Sequence, residues 1–135
     1  MKAFAPDSKM FTMGGVFYPT GHVFVMFPTA DDAKDAEQKL IAAGCEGGQI
    51  SLLTPQDIHE KIAAGGMHAD EGLPSPGSEG ATARHYEKLA SEGHHALLVP
   101  AKSAKETERV MEALQDTKIS FAQKYRMLVI EDLVP

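Results

Sequence analysis

Six histidines and a single cysteine are the residues of this chain best suited to metal or nucleophilic chemistry. A metal site needs three or four such donors at set spacings, as in HExxH or paired CxxC, and neither pattern occurs. His94 and His95 are adjacent, so on a strand their rings point to opposite faces and do not readily chelate one ion. His22, His59, His68 and His85 are spread along the chain and would meet only through folding. No metal is expected, and the histidines are read as strand-end and helix-surface residues. Cys45 follows the helix-ending Gly44 and precedes Glu46. The negative end of a helix and a neighbouring carboxylate both oppose thiolate, so a packed, unreactive thiol is expected.

Two polar groupings could instead hold a small molecule. The stretch Ser78-Glu79-Gly80-Ala81-Thr82-Ala83-Arg84 reads as a helix start, where free N–H groups together with Thr82, Arg84 and His85 could hold an anion. The plainer reading is a capped surface helix with Arg84 in water. Tyr86, Tyr125 and Arg126 could polarise a carbonyl or anchor a carboxylate. Equally, Tyr125 could be an ordinary strand residue and Arg126 a surface charge. The candidate ligand-binding residues are therefore Thr82, Arg84, His85, Tyr86 and Tyr125, with no catalytic residue and no cofactor assigned. Gly14-Gly15, Gly47-Gly48 and Gly65-Gly66 make neither GxGxxG nor GxxxxGK[ST], so no recognised phosphate-cradling motif is present.

These residues must be positioned by a small set of legible elements. His22 to Phe27 is apolar on both faces and bounded by Gly21 and Pro28, which predicts a central strand. Thr29-Ala30-Asp31-Asp32 predicts a capped helix start, and Ala33, Ala36, Leu40 and Ala43 carry the inner stripe to Gly44. A short strand over 49–53 follows, then Thr54-Pro55-Gln56-Asp57 opens a helix with proline at its first position. Residues 65–80 read as a loop, and 81–91 as a helix. His95 to Val99 is a strand stopped by Pro100. Ser103-Ala104-Lys105-Glu106 predicts a capping box opening a helix over 104–116, with Val110, Met111 and Leu114 inward. A last strand spans 123–130, or starts nearer Phe121. Residues 1–15 read as an irregular arm, with Val16-Phe17-Tyr18 a possible short strand.

The stretches His22–Leu40 and His95–Leu114 form a weak repeat, each running from strand into helix. Two interleaved βαβ units with right-handed crossovers predict an α+β, ferredoxin-like βαββαβ sandwich. The segment of about 55–92 is then a helical insertion between the second and third strands, and 16–135 forms one domain. A flavodoxin-like sheet would need more parallel strands than the sequence provides.

Composition narrows function further. The chain has 135 residues, 43% hydrophobic and 24% charged, which suits one folded domain. A net charge of −6 argues against sequence-independent nucleic-acid binding. An RNA-recognition module would also need aromatics on its central strands, and His95 to Val99 has none. No apolar run approaches a membrane span and no signal peptide is recognisable, so a cytoplasmic protein is expected, consistent with one cysteine.

Phe27-Pro28, the helix ending at Ala43-Gly44 and Ile50-Ser51-Leu52-Leu53-Thr54 resemble the small bacterial domains grouped around general stress protein 17M. Stretches such as Phe17–His22, Gly93–Leu97 and Tyr125–Leu133 are similar to uncharacterised proteobacterial proteins of similar length. The resemblance implies a fold and a bacterial origin, and it carries over no catalytic residue. Cys45 departs from it, standing where such domains more often place a large apolar residue. The expected function is a non-enzymatic, stress-type accessory domain acting through self-association and protein contacts. A bare sheet face would be covered by 55–92, by the N-terminal arm or by a second subunit, so a homo-oligomer is expected. The alternatives are a small-ligand or nucleotide sensor of the trimeric ferredoxin-like signalling kind, with a small anionic ligand, and a small dimeric ferredoxin-like enzyme.

Overall fold

The computed structural model of the chain describes residues 2–5, 19–63, 79–126 and 129–133. The strands are β1 (Lys2–Ala3), β2 (His22–Phe27), β3 (Ser51–Leu53), β4 (His95–Pro100), β5 (Phe121–Arg126) and β6 (Val129–Asp132). The helices are α1 (Ala30–Ala42), α2 (Pro55–Asp57, continued by a π-helical stretch Ile58–Ala63), α3 (Glu79–Ser91) and α4 (Ala104–Ala113). The fold is α+β, with one mixed sheet in the order β1-β3-β4-β2-β5-β6. Only β1 and β3 run parallel, and the other described neighbours are antiparallel.

The expected central strand is β2, whose residues Val23 to Phe27 are all fully buried. Its doubly apolar sequence follows from its place, because helices cover both faces of the sheet. Val23, Val25 and Phe27 point to one side, where they pack with Leu97, Val99 and Ala122 against α1 and α4 through Ala36, Leu40 and Val110. Phe24 and Met26 point to the other, with Leu53, Ala96 and Leu98, against Tyr86 and Ala90 of α3. The Phe24 and Tyr86 rings stack there at 4.2 Å. Alternation along β2 thus assigns each residue to one of two cores.

The second face, expected to need a cover, receives one from the chain itself. Segment 55–92 supplies α3 and Ile58, and the N-terminus supplies Phe4 at 4% exposure. A second subunit is not needed to shield this face. The first residues of the expected irregular arm are a strand, since Lys2 and Ala3 pair with Ser51 and Leu52. Residues 6–18, with the expected short strand Val16-Phe17-Tyr18, and 64–78, which take in most of the expected loop 65–80, lie outside the described residues, and Glu79 and Gly80 at the end of that loop belong to α3.

Helix starts follow local chemistry, with one exchange. Thr29 caps α1 by accepting the Asp32 N–H at 3.1 Å. Thr54 and Asp57 form the reciprocal capping box, Asp57 N–H to Thr54 Oγ1 at 3.2 Å and Thr54 N–H to Asp57 Oδ2 at 3.1 Å. Burial works to raise the Asp57 pKa, but these bonds and Lys61 outweigh it and hold the carboxyl below its ordinary value. At α4 the Ser103 hydroxyl accepts the Glu106 N–H as expected. The Glu106 carboxylate, however, accepts from the Lys102 N–H at 2.7 Å rather than from Ser103, so the expected box is displaced by one residue.

Boundaries shift where turn chemistry intervenes. Gly47–Gln49 forms a 3-10 turn, leaving β3 to start at Ser51 instead of residue 49. Helix α4 ends at Ala113 with Leu114 as its cap, short of residue 116. The expected strand 123–130 is two strands, with Arg126 opposite Val129 in an antiparallel pair. Among the described residues no helix is long and apolar enough to cross a membrane.

Candidate functional site

Of the five candidate ligand residues, the fold brings two together. Tyr86 on α3 and Tyr125 on β5 are each 1% exposed, and their hydroxyls lie 2.6 Å apart. Tyr86 also donates to Gln123 Oε1 at 2.8 Å, and Gln123 shares a face of β5 with Tyr125 because the two are two residues apart. Having spent its one proton on Gln123, the Tyr86 hydroxyl must accept from Tyr125. The order of donation is Tyr125 to Tyr86 to Gln123. The two hydroxyls of this relay are buried beneath α3.

The other three do not join it. Thr82 lies in the first turn of α3, while Arg84 and His85 lie on its exposed side. The His85 ring meets Phe121 edge-on at 4.4 Å. Helix α3 starts at Glu79, so the N–H groups of its start lie in the turn before Arg84 and His85. His68 lies outside the described residues, and the other histidines have separate partners. His59 bonds Glu87, His94 bonds Ser120, and His95 bonds the Gly93 carbonyl. Among the described residues no three His, Cys, Asp or Glu side chains could hold a metal ion together.

Cys45 packs against the α1–α4 core and lines a cleft of about 330 Å³ with Arg109 and Glu106. Burial pushes its thiol pKa up, with Arg109 pulling the other way and Glu106 adding to the rise. The thiol is held protonated mainly by desolvation, whereas the sequence had suggested the helix end.

A larger cleft, about 420 Å³, opens at the end of the sheet where β2 begins and β4 ends. Its floor is tied by backbone bonds, Gly21 N–H to Tyr125 O at 2.8 Å and Ala101 N–H to Gly21 O at 2.9 Å. Gly21 turns the chain into β2 at φ +81°, a conformation that L side chains rarely adopt. The wall is α4 with its cap Ser103, carrying Thr107, Glu108 and Met111, and Lys102, Lys124 and Leu133 complete the lining. Lys124 is the unusual member. It is only 6% exposed, and its ammonium donates to the Ala101 carbonyl and to Thr107 Oγ1 at 2.8 Å. Thr107 in turn donates to Ser103 O at 3.0 Å, which fixes its hydroxyl with a lone pair toward the lysine.

Charge gathers at this end of the molecule. His22, whose Nδ1 bonds the Thr20 carbonyl at 3.1 Å, has its pKa lowered chiefly by burial. The nearby Lys124 and Lys102 charges lower it further, while backbone bonds to Thr20 and Pro19 oppose the shift. Two lysines and the Ser103 hydroxyl beside apolar Met111 make a site that can receive a small anion. Sequence reading missed Lys124 and Thr107. The available signal was a lysine in Phe121-Ala122-Gln123-Lys124-Tyr125 at the same parity as Ala122, on the core side of the strand. Tyr125 also lines the cleft, and is the one candidate ligand residue that touches it.

Protein-family models, curated proteins and solved structures were all compared with the chain, and none matches it.

Proposed function

We propose that this chain is a small non-enzymatic accessory domain that binds a small anionic ligand in the cleft between α4 and the end of β5. One observation carries the reading: Lys124, only 6% exposed, lines a cleft of about 420 Å³ that Lys102 also lines, its ammonium held by the Ala101 carbonyl and Thr107 Oγ1. The field of two lysines lining one cleft favours an anion there. The closed Tyr86–Tyr125 pair supports binding over catalysis, because a catalytic group must reach its substrate.

The proposal includes a split-βαβ, ferredoxin-like architecture. Support comes from the inner strand order β3-β4-β2-β5, all antiparallel, with α1 and α4 on one face and 55–92 inserted between β3 and β4. It also includes a bacterial, cytoplasmic origin near the general stress protein 17M group, on the sequence stretches named above. Titration calorimetry with phosphate, acetate, citrate and ATP tests the binding reading, with Lys124→Met as control. Heat with at least one anion, weakened about tenfold or more by Lys124→Met, is the expected result. Absence of heat with every anion overturns it.

Self-association is a second reading, favoured by β6, which ends the described sheet and presents a ladder edge to another strand. Native mass spectrometry at micromolar concentration tests it. A dimer or larger species supports the reading, and a monomer refutes it.

A further inference from the structure

We infer that the guest of this cleft is a free α-amino acid with an apolar side chain. The inference rests on the binding reading above, and the carboxylate of the amino acid is its anion. Two of the lining groups are already committed to the fold. Lys124 is held by the Ala101 carbonyl and Thr107 Oγ1, and the Thr107 proton goes to Ser103 O. Lys124 adds positive field to the cleft, and neither group is needed as a contact. What remains is one charge of each sign. Lys102 and Glu108 both line the cleft, both are exposed, and among the described residues neither side-chain charge is paired. Ser103 Oγ accepts the Glu106 N–H and, among the described residues, has no acceptor for its own proton.

Helix geometry sets these groups in order. Ala104, Glu108 and Met111 are spaced by four and then three residues on α4, so they line the cleft along one face of the helix. At 1.5 Å per residue this face runs about 10 Å from Ala104 to Met111. Lys102 and Ser103 lie at its beginning, where the positive end of the helix also favours an anion. Glu108 lies a turn further on. One turn is about 5.4 Å, a gap that a carboxylate and an ammonium on one carbon bridge with a hydrogen bond at each end. Met111 comes next along the face, and with Leu133 it supplies an apolar lining that packs on the α1–α4 core. The wall therefore presents a cation, then an anion, then carbon and sulfur. An apolar amino acid answers all three, whereas a simple carboxylate leaves Glu108 unpaired and an amine leaves Lys102 unpaired. The volume, about 420 Å³, falls within the range of small-molecule sites.

The test is a titration of the full chain, carrying 13C-methyl methionine, with leucine and three truncations of it. These are 4-methylpentanoate, which lacks the ammonium, 3-methylbutylamine, which lacks the carboxylate, and glycine, which lacks the side chain. Leucine should give a saturable shift of the Met111 methyl, and each truncation should bind about threefold to tenfold more weakly. Glu108→Gln should weaken leucine and 3-methylbutylamine about threefold or more and spare 4-methylpentanoate. Lys102→Met should weaken leucine and 4-methylpentanoate by a similar factor and spare the amine. Both positions are exposed, so neither variant threatens the fold. If 4-methylpentanoate binds as tightly as leucine, or leucine is indifferent to Glu108→Gln, this inference is overturned and the anion-binding reading stands. Leucine binding unchanged by Lys102→Met overturns it as well. Silence from leucine alone has the same result, and silence from phosphate, acetate, citrate and ATP besides overturns both.

Discussion

Replacing Tyr86 by Phe should destabilise the protein more than replacing Tyr125 by Phe, although both remove one buried hydroxyl. The asymmetry follows from the order of donation. Tyr86 gives its proton to Gln123 Oε1 at 2.8 Å and receives one from Tyr125 at 2.6 Å, so Tyr86→Phe breaks two bonds. Of these two bonds Tyr125→Phe breaks one and leaves Tyr86 donating to Gln123. A buried neutral hydrogen bond is worth about 1 kcal/mol net, and losing one partner adds desolvation of the other. Tyr86→Phe should therefore cost about 2–3 kcal/mol and Tyr125→Phe about 1 kcal/mol. With an unfolding entropy near 0.28 kcal/mol/K for this length, the melting temperature should fall by roughly 7–10 °C and 3–4 °C respectively. The ring stack of Phe24 on Tyr86 survives both changes, which isolates the hydroxyls. Urea unfolding of the two single variants and the double variant supplies the cycle, where a coupling near 1 kcal/mol is expected. Equal losses in the two single variants, or strict additivity in the double variant, would refute the relay.

Four further outcomes follow from the same structure. Leu40→Ala, at a fully buried position in the α1–α4 core, should cost about 2–5 kcal/mol in urea unfolding. Thr54→Ala removes half of the capping box and should cost about 1 kcal/mol in the same assay. Because burial lowers the folded pKa of His22 below its ordinary 6.5, the unfolded chain takes up the proton more readily. Stability should hold above that value and decline as pH falls through it, levelling off below the folded pKa; thermal melts of His22→Gln should show a shallower decline. Cys45 should react with iodoacetamide more slowly than a free cysteine at neutral pH, and faster after urea is added, as read by mass spectrometry.

What the sequence revealed was what local chemistry decides. Thr29, Thr54 and Ser103 mark helix starts because each hydroxyl satisfies the N–H three residues on, whatever surrounds it. The doubly apolar run of β2 was legible for the same reason, since only a strand covered on both faces tolerates it. The cover of the second face was not assignable. Tyr86 and Ala90 on α3 and Phe4 near the N-terminus are distant in sequence, and nothing local to them names the face they reach. Tyr86 and Tyr125 were singled out as chemically able, and they do meet. Their burial, which turns a possible site into a structural relay, depends on packing. Lys124 and Thr107 escaped because a lysine on a strand ordinarily signals an outer face. Here the alternation set by Ala122 turns Lys124 inward, and the Ala101 carbonyl and Thr107 receive it.

The central position of β2 bears on how the polypeptide leaves the ribosome. His22 is paired with both Pro100 and Tyr125, so this early strand finds neither neighbour until the synthesis of distant segments is complete. Its residues Val23 to Phe27, apolar on both sides, must wait without partners while α1 and the 55–92 segment are translated. Such delayed, long-range closure slows folding and leaves an adhesive segment open to wrong pairings. Completion of the sheet around β2 therefore waits on β5, the later of the two strands that flank it.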